Sequence, residues 1–173
     1  WRLNKHRGSV AKDEPSRGRS LSGYNGVRFF SQADIAAQMA VSEWGELESF
    51  SDSRDPPLRL VGPAVNFCGG ECHSDGPFEY LDEFFSACVG CRVDYISFHI
   101  YVSCGAGEGG LQNNRAQWLI NHVNNYMNSF PDYPLWLTEF ACEGNPSPDE
   151  QTRFLQDAVE FLENEPSIMK YAW

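Results

Sequence analysis

Apolar positions follow two different periods along the chain. Mostly apolar runs predict four β-strands: Leu58–Asn66, Val93–Tyr101, Leu135–Cys142 and Ile168–Trp173. Between and before these runs, apolar residues recur at helical spacing and predict four helices: residues 34–48, 78–88, 119–130 and 148–162. A Ser-Pro-Asp-Glu sequence at residues 147–150 has the form of a capping box with proline at the first helical position, which marks the start of the last helix.

The repeated order of strand and helix predicts parallel strands, because each helix returns the chain to the edge where the next strand begins. A short apolar piece before Ser31 adds a further strand, which gives about five strands and four helices. A complete (β/α)8 barrel needs ~250 residues, whereas this chain has 173. The pattern therefore fits either an open α/β sheet or the C-terminal part of a barrel.

Composition limits the partners of the chain. It carries 13 Lys and Arg against 24 Asp and Glu, a formal charge of −11, which repels phosphate backbones and anionic lipid surfaces. No run of 18 apolar residues is present, and the N-terminus lacks the apolar core of a signal peptide. We therefore expect neither nucleic acid nor a membrane as a partner. Six of the basic residues lie within residues 1–20 without apolar periodicity, so we expect a basic, disordered arm there and one domain at 21–173.

Glu139 lies near the C-terminal end of an apolar predicted strand. Carboxylates avoid burial unless a partner pairs with them or a reaction uses them, and α/β folds form their sites at the C-terminal ends of strands. Glu139 is therefore a candidate functional residue. The structural alternative is that it accepts backbone hydrogen bonds or pairs with a buried arginine. Aromatic residues make up 14% of the chain, which suits stacking on sugar faces as well as a well-filled core.

Several short motifs occur in a fixed order along residues 21–173. They are Gly62-Pro-Ala-Val65, Cys88 to Asp94, His99-Ile-Tyr101, Trp136 to Ala141 and Tyr171-Ala-Trp173. In order and spacing they resemble glycoside hydrolase family 128, the Asl1-like glycosyl hydrolase catalytic core. That family has a (β/α)8 TIM-barrel fold and acts on β-1,3-glucan. The resemblance implies a C-terminal partial barrel of about five βα units and a β-glucan partner, whereas an open-sheet α/β protein of unrelated function would require the motifs to be coincidental.

The resemblance also implies roles for individual residues. Glu139 corresponds to the nucleophile of a retaining glycosidase, in which one carboxylate attacks the anomeric carbon and a second carboxyl group ~5 Å away protonates the leaving oxygen. The implied substrate-binding residues are Asn25, Asn66, His99, Tyr101, Trp136 and Trp173. Without the family, His99 in an apolar strand would more often be a hydrogen-bonded core residue. Trp44 and Trp118, at helical spacing with aliphatic residues, are expected in the core.

The second carboxyl group is missing where the family carries it. The family motif Leu-Gly-Phe-Asn-Glu-Pro-Asn aligns without a gap on residues 22–28 and puts Gly26 at the acid/base position. Glycine neither gives nor takes a proton, and losing general acid/base help costs about 10²- to 10⁴-fold. Glu43, Glu71 and Glu143 are the candidate substitutes. We therefore expect impaired hydrolysis or, as the alternative, a non-catalytic glucan-binding pseudoenzyme of the same fold.

The six cysteines allow two interpretations. The close pairs at 68/72 and 88/91 have the spacing of a four-thiolate zinc site, which suits a reducing compartment. A secreted glucanase, as the resemblance implies, favours disulfides instead. Three disulfides are then expected: Cys104–Cys142, Cys88–Cys91 and Cys68–Cys72. Cys104–Cys142 is expected first, because the two residues would lie on the same rim of a barrel. We expect a secreted or cell-wall protein that is monomeric and needs no metal or cofactor.

Overall fold

The structure, a computed structural model, describes residues 2–4, 19–27, 34–67, 76–104 and 116–173. Its elements in chain order are β1 Arg2–Asn4, β2 Ser20–Ser22, α1 Ala37–Asp52, β3 Arg59–Val61, β4 Val65–Asn66, α2 Pro77–Ala87, β5 Ile96–Ser103, α3 Gln117–Ser129, β6 Leu135–Glu143, α4 Pro148–Asn164 and β7 Ile168–Ala172. Strands β2 and β3 pair in parallel, as do β6 and β7. The chain is an α/β protein with parallel strands, and this part of the prediction is confirmed.

The described residues fall into two compact units, one within residues 19–98 and the other formed by residues 99–173 with β1. In the first unit, parallel bridges join Asn25 to Ala64 and Val61 to Tyr95, so the parallel arrangement continues past the pair β2 and β3. The predicted strand 58–66 is present as β3 and β4, which are separated by residues 62–64.

Helices α1 and α2 supply the large core side chains of the first unit. Trp44 is fully buried, as predicted, and its ring meets that of Phe84 edge-on at 5.1 Å between centroids. The indole N–H of Trp44 donates a 3.1 Å hydrogen bond to the carbonyl of Arg92. The buried indole therefore keeps a partner for its polar atom, as burial requires.

Helix α1 lies further along the chain than the predicted helix 34–48. It begins at Ala37, because the N–H of Ile35 donates to the carbonyl of Val27 at 2.8 Å and so holds that residue outside the helix. It continues to Asp52, where the buried hydroxyl of Ser51 donates to the carbonyl of Leu58 at 2.7 Å. Residues 31–33, which precede the predicted helix, lie outside the described residues.

The second unit contains strands in the order β1, β7, β6 and β5. Strand β1 is antiparallel to β7, with Leu3 opposite Tyr171. At residues 2–4 the structure therefore has a short strand, where the sequence predicts an arm without regular structure. Three residues are too few to show a periodicity, and pairing with an edge strand needs only backbone groups. Residues 5–18 lie outside the described residues, so the arm stays a prediction there.

Two features of the second unit bear on the sequence predictions. The capping box of α4 is confirmed, because Ser147 Oγ accepts from the N–H of Glu150 at 3.3 Å and the Glu150 carboxylate accepts from the N–H of Ser147 at 2.8 Å. The prediction of Trp118 in the core is wrong, because its ring is 50% exposed. Leu119 and Val123 form the buried stripe of α3, and Trp118 lies one position off it. Among the residues described, none of the helices has the length and apolar character needed to cross a membrane.

Candidate active site

Glu139 lies on β6 where the burial pattern of the strand changes phase. Buried side chains fall at Leu135 and Leu137 and then at Phe140 and Cys142. Because successive side chains of a strand point to opposite faces, this sequence of buried positions shifts by one residue just before Phe140. The side chain of Glu139 is 41% exposed to solvent, while buried side chains hold the strand before and after it.

Tyr101 on β5 supplies the hydrogen bond that holds Glu139. The Tyr101 hydroxyl donates to Glu139 Oε2 at 2.6 Å, a length typical of a hydrogen bond to a charged acceptor. Burial, with a further contribution from this bond, raises the pKa of Tyr101. The phenol therefore stays protonated and remains a donor throughout the physiological pH range.

His99 lies two residues before Tyr101 and shares its face of β5. Its side chain is 1% exposed, and Nδ1 is 3.5 Å from Glu139 Oε2. Neither ring nitrogen has a hydrogen-bond partner among the described residues. Burial lowers the pKa of His99, although the Glu139 carboxylate acts in the opposite direction. His99 is therefore a neutral imidazole with one donor and one acceptor that the described protein groups do not use.

The two oxygens of Glu139 differ in their surroundings. Both the Tyr101 hydroxyl and His99 Nδ1 approach Oε2. No hydrogen bond to Oε1 occurs within the part of the chain that the structure describes. A buried arginine and backbone donors, the structural alternative for this carboxylate, are likewise not among its partners there. The geometry leaves one carboxylate oxygen open to a ligand and fixes the other.

The two tryptophans predicted to bind substrate have protein neighbours. Lys170 lies opposite Trp136 in the pairing of β6 and β7, and its Nζ is 4.2 Å above the Trp136 ring. Trp173 packs edge-on against Phe140 at 5.1 Å and lies 5.9 Å from Phe154. Lys170 thus covers one face of the Trp136 ring, whereas Trp173 contacts two phenylalanine rings and remains 43% exposed. Sequence spacing gave no signal for these cation–π and aromatic contacts.

The remaining predicted site residues belong to the unit within residues 19–98. Asn25 is exposed, and Asn66 is 2% exposed with an Oδ1 that has no hydrogen-bond partner among the described residues. Gly26 has φ +60°, a left-handed conformation that suits glycine. Its N–H donates to the carbonyl of Ala64 at 3.1 Å, which fixes this turn beside the parallel bridge.

Two of the three candidate substitutes for the acid/base group can be located. Glu43 is exposed on α1 and accepts a 2.5 Å hydrogen bond from Tyr24, whose pKa rises to about 12 through burial and this bond. Glu143 is the last residue of β6, four residues beyond Glu139. At about 3.3 Å per strand residue their Cα atoms are ~13 Å apart, whereas the carboxyl groups of a retaining pair are ~5 Å apart. Glu71 lies outside the described residues.

Two of the three expected cysteine pairs are disulfide-bonded in the structure. Cys104 and Cys142 are joined with their Cα atoms 5.6 Å apart, and Cys88 and Cys91 with theirs 5.3 Å apart. The zinc interpretation needs thiolates at 88 and 91, which the disulfide removes. The pair at 68/72 lies outside the described residues. Within the described residues, no group of three or more His, Cys, Asp or Glu side chains is placed to hold a metal ion.

Comparison with known proteins identifies the family. The sequence profile described as "Glycosyl hydrolase catalytic core" matches residues 4–173. The chain belongs to the glycosyl hydrolase catalytic core family. Within this family it is 32% identical over 149 residues to alkali-sensitive linkage protein 1 of Schizosaccharomyces pombe, covering 83% of this chain and 26% of that protein.

Solved structures of family members share the fold of the chain. The GH128 (subgroup II) endo-β-1,3-glucanase from Sorangium cellulosum is 54% identical with a TM-score of 0.81, over 92% of this chain and 59% of that one. The GH128 (subgroup I) endo-β-1,3-glucanase from Amycolatopsis mediterranei, in complex with laminaritriose, is 28% identical with a TM-score of 0.71, over 90% and 61%. The predicted resemblance to glycoside hydrolase family 128 is confirmed, and the chain spans about three fifths of these structures.

Proposed function

We propose that this chain is a β-1,3-glucan-binding glycoside hydrolase domain of the retaining type. Glu139 is its nucleophile, and hydrolysis is impaired because Gly26 occupies the acid/base position. The observation that carries this proposal is the state of Glu139, in which Tyr101 holds Oε2 at 2.6 Å while Oε1 accepts no hydrogen bond from the described residues. Both GH128 relatives described above are endo-β-1,3-glucanases, which supports the choice of substrate.

In this mechanism each residue has a distinct task. Glu139 Oε1 attacks the anomeric carbon, and the glycosidic bond to the leaving oxygen breaks as the new ester bond forms. Tyr101 keeps donating to Oε2 and so orients the attacking carboxylate. His99, neutral and without a described protein partner, binds a sugar hydroxyl through its free donor or acceptor. Because Gly26 supplies no proton, the leaving oxygen takes its proton from water, and a second water then hydrolyses the glycosyl ester without a general base. Both steps are therefore slow.

The proposal extends to the remaining predictions. The domain comprises residues 21–173 and forms a C-terminal partial barrel, preceded by a basic arm. Asn25, Asn66, Trp136 and Trp173 bind the glucan. The two described disulfides fit a secreted or cell-wall protein, and the net charge of −11 disfavours nucleic acid and anionic membranes as partners. We further propose that the domain acts as a monomer.

A second candidate is a glucan-binding protein without catalysis. The left-handed backbone of Gly26 favours it, because φ +60° disfavours any side chain, a carboxylic acid included. Such a protein would keep the sugar-binding residues and lose the chemistry. The two candidates differ in whether Glu139 can still form a bond to a sugar.

An activated substrate separates the two candidates. The 2,4-dinitrophenyl β-glycoside of laminaribiose has a leaving group that departs without protonation, so a retaining nucleophile acts on it even when the acid is missing. We expect the chain to release dinitrophenolate from this substrate while hydrolysing laminarin poorly. Glu139→Gln should abolish the release. Laminarin binding without any release from either substrate would instead establish the non-catalytic alternative.

The role of position 26 is tested with a matched pair of variants. Gly26→Glu and Gly26→Gln place side chains of equal size on the same left-handed backbone, so strain affects both alike. We expect only Gly26→Glu to raise laminarin hydrolysis, by about 10²-fold or more. If the unchanged chain already hydrolyses laminarin as fast as Gly26→Glu, another group supplies the proton and the assignment of Gly26 is wrong.

A further inference from the structure

Helix α3 has no Asp, Glu, Lys or Arg among its residues Gln117–Ser129. Charged residues make up 21% of the chain, and each of the other three described helices carries several acidic residues. The histidine of α3, His122, is buried, and burial lowers its pKa to about 4. At neutral pH the helix is therefore uncharged over its whole length, which is unusual in an acidic protein.

The solvent side of α3 combines one indole with a row of amides. Trp118 is 50% exposed, and Asn121, Asn125 and Asn128 are exposed at the third, seventh and tenth positions after it. This spacing places all four on one side of the helix. At 1.5 Å per residue the row is about 15 Å long. We call these four residues the α3 face.

The α3 face is anchored by the packing beneath it. Leu119, Val123 and Tyr126 on the opposite side of the helix are fully buried. On the exposed side, Gln117 Nε2 donates to Asn121 Oδ1 at 2.8 Å. This bond orients the Asn121 amide, whose NH₂ group makes no hydrogen bond to the described residues. The start of the helix thus presents an aromatic ring near an oriented donor.

The chemistry of the α3 face selects a neutral, hydroxyl-rich ligand. An indole ring offers a flat apolar surface for the C–H face of a sugar, and primary amides offer both donors and acceptors for hydroxyl groups. An anionic ligand would need cationic side chains, which α3 lacks. Protein interfaces have contiguous apolar cores, whereas here a single ring stands among amides. Binding a neutral glycan also avoids the cost of desolvating a charge.

We propose that the α3 face is a secondary, non-catalytic binding site for β-1,3-glucan. The choice of this glycan rests on the function proposed above, whereas the neutral polyhydroxyl class of ligand rests on the α3 face itself. Trp118 lies in the first turn of the helix that follows β5, and in a strand–helix unit the end of the strand and the start of the helix share one edge. Glu139 is the central residue of β6 and belongs to the same 99–173 unit as α3, so the α3 face holds a glucan chain on the unit that carries the nucleophile.

Pull-down on insoluble curdlan, a β-1,3-glucan, tests this site in the Glu139→Gln background, where the polymer is not consumed. We expect Trp118→Ala to weaken retention on curdlan about tenfold, as for a central tryptophan contact. Asn125→Asp, which adds a charge at nearly constant size, should also weaken retention. The matched control is Phe50→Ala, which removes an aromatic ring of similar exposure, 46%, from α1. Circular dichroism establishes that each variant is folded.

Activity on the soluble dinitrophenyl laminaribioside, measured with Glu139 intact, separates this site from the catalytic one. We expect Trp118→Ala to leave that activity unchanged, because the small substrate does not reach α3. Retention on curdlan equal to that of the parent in both Trp118→Ala and Asn125→Asp would overturn the site. Equal losses in Phe50→Ala would overturn it as well. If the chain is catalytically inert and Trp118→Ala still weakens its retention on curdlan, the proposed hydrolysis is wrong and the α3 site is supported.

Discussion

The hydroxyl of Tyr101 lies 2.6 Å from Oε2 of Glu139 and donates a hydrogen bond to it across the neighbouring strands β5 and β6. Three residues further along each strand, Cys104 and Cys142 are joined by a disulfide. The carboxylate is therefore held both by a directional hydrogen bond and by a covalent link between the strands that carry the two groups. Preorganisation of this kind is what a nucleophile requires, because attack depends on orientation.

Tyr101→Phe removes the donor and leaves the ring. Hydrogen bonds to charged groups contribute about 1.5–3 kcal/mol, so we expect kcat on the dinitrophenyl laminaribioside to fall about 10- to 100-fold with KM little changed. The matched control is Tyr171→Phe, which removes a hydroxyl that donates to Glu163 on α4. An equal loss of activity in the two variants would show that Tyr101 acts only through general stability.

The two described disulfides should differ in their effect on stability. Cys104–Cys142 closes a sequence separation of 38 residues and Cys88–Cys91 one of three. In the chain-entropy description the longer loop contributes about 4 kcal/mol and the shorter about 2 kcal/mol. We expect the double Cys→Ser variant at 104 and 142 to lose about twice as much free energy of unfolding as the one at 88 and 91, measured by urea denaturation.

Chemical mapping is the companion test of the disulfides. Digestion under non-reducing conditions should yield one peptide pair linked through Cys104 and Cys142. Recovery of both residues as alkylated thiols from the folded protein would contradict the bond. In that case reducing agent should lower the free energy of unfolding equally in the unchanged chain and in the double Cys→Ser variant at 104 and 142.

His122 should make the fold acid-sensitive. Burial lowers its folded pKa to about 4, against about 6.5 in the unfolded chain. Between these values the unfolded state binds more protons, so stability falls as the pH drops from about 6.5 towards 4. The loss is at most about 3.5 kcal/mol, since one pKa unit corresponds to about 1.4 kcal/mol.

The comparison that isolates this effect is His122→Phe, a variant without a titratable ring. Urea denaturation between pH 7 and 4 should show a shallower decline in the free energy of unfolding for His122→Phe than for the unchanged chain. The slope is the decisive quantity, because the substitution also alters packing against Tyr126, whose ring meets His122 edge-on at 5.0 Å. Parallel slopes would assign the acid sensitivity to other groups.

Ser147→Ala should destabilise α4 by about 1 kcal/mol through loss of its N-terminal cap. The Ser147 hydroxyl accepts from the N–H of Glu150, and alanine leaves that donor without its partner. Thr152→Ala provides a control on the same helix, because the Thr152 hydroxyl only donates to the carbonyl of Pro148. The midpoint temperature of thermal unfolding should be lower for Ser147→Ala than for Thr152→Ala. The reverse order would contradict the cap.

Some elements follow from local patterns and others do not. The capping box at Ser147 is predictable, since its hydrogen bonds join residues three positions apart. The start of α1 is not, because it depends on a backbone hydrogen bond from Ile35 to Val27. Strand β1 also escapes prediction, since a three-residue strand defined by pairing with β7 has no periodicity to read.

The site divides in the same way. The sequence alone determined that Glu139 lies in an apolar strand, that glycine stands at position 26, and which family motifs surround them, because these are matters of residue type and order. Only the tertiary structure decided that Tyr101 bonds to Glu139, that Lys170 lies over the Trp136 ring, and that Trp118 is exposed. Those facts depend on how strands and helices that are distant in sequence pack together. A local pattern of apolar and polar residues does not show which residue of another element a side chain will contact.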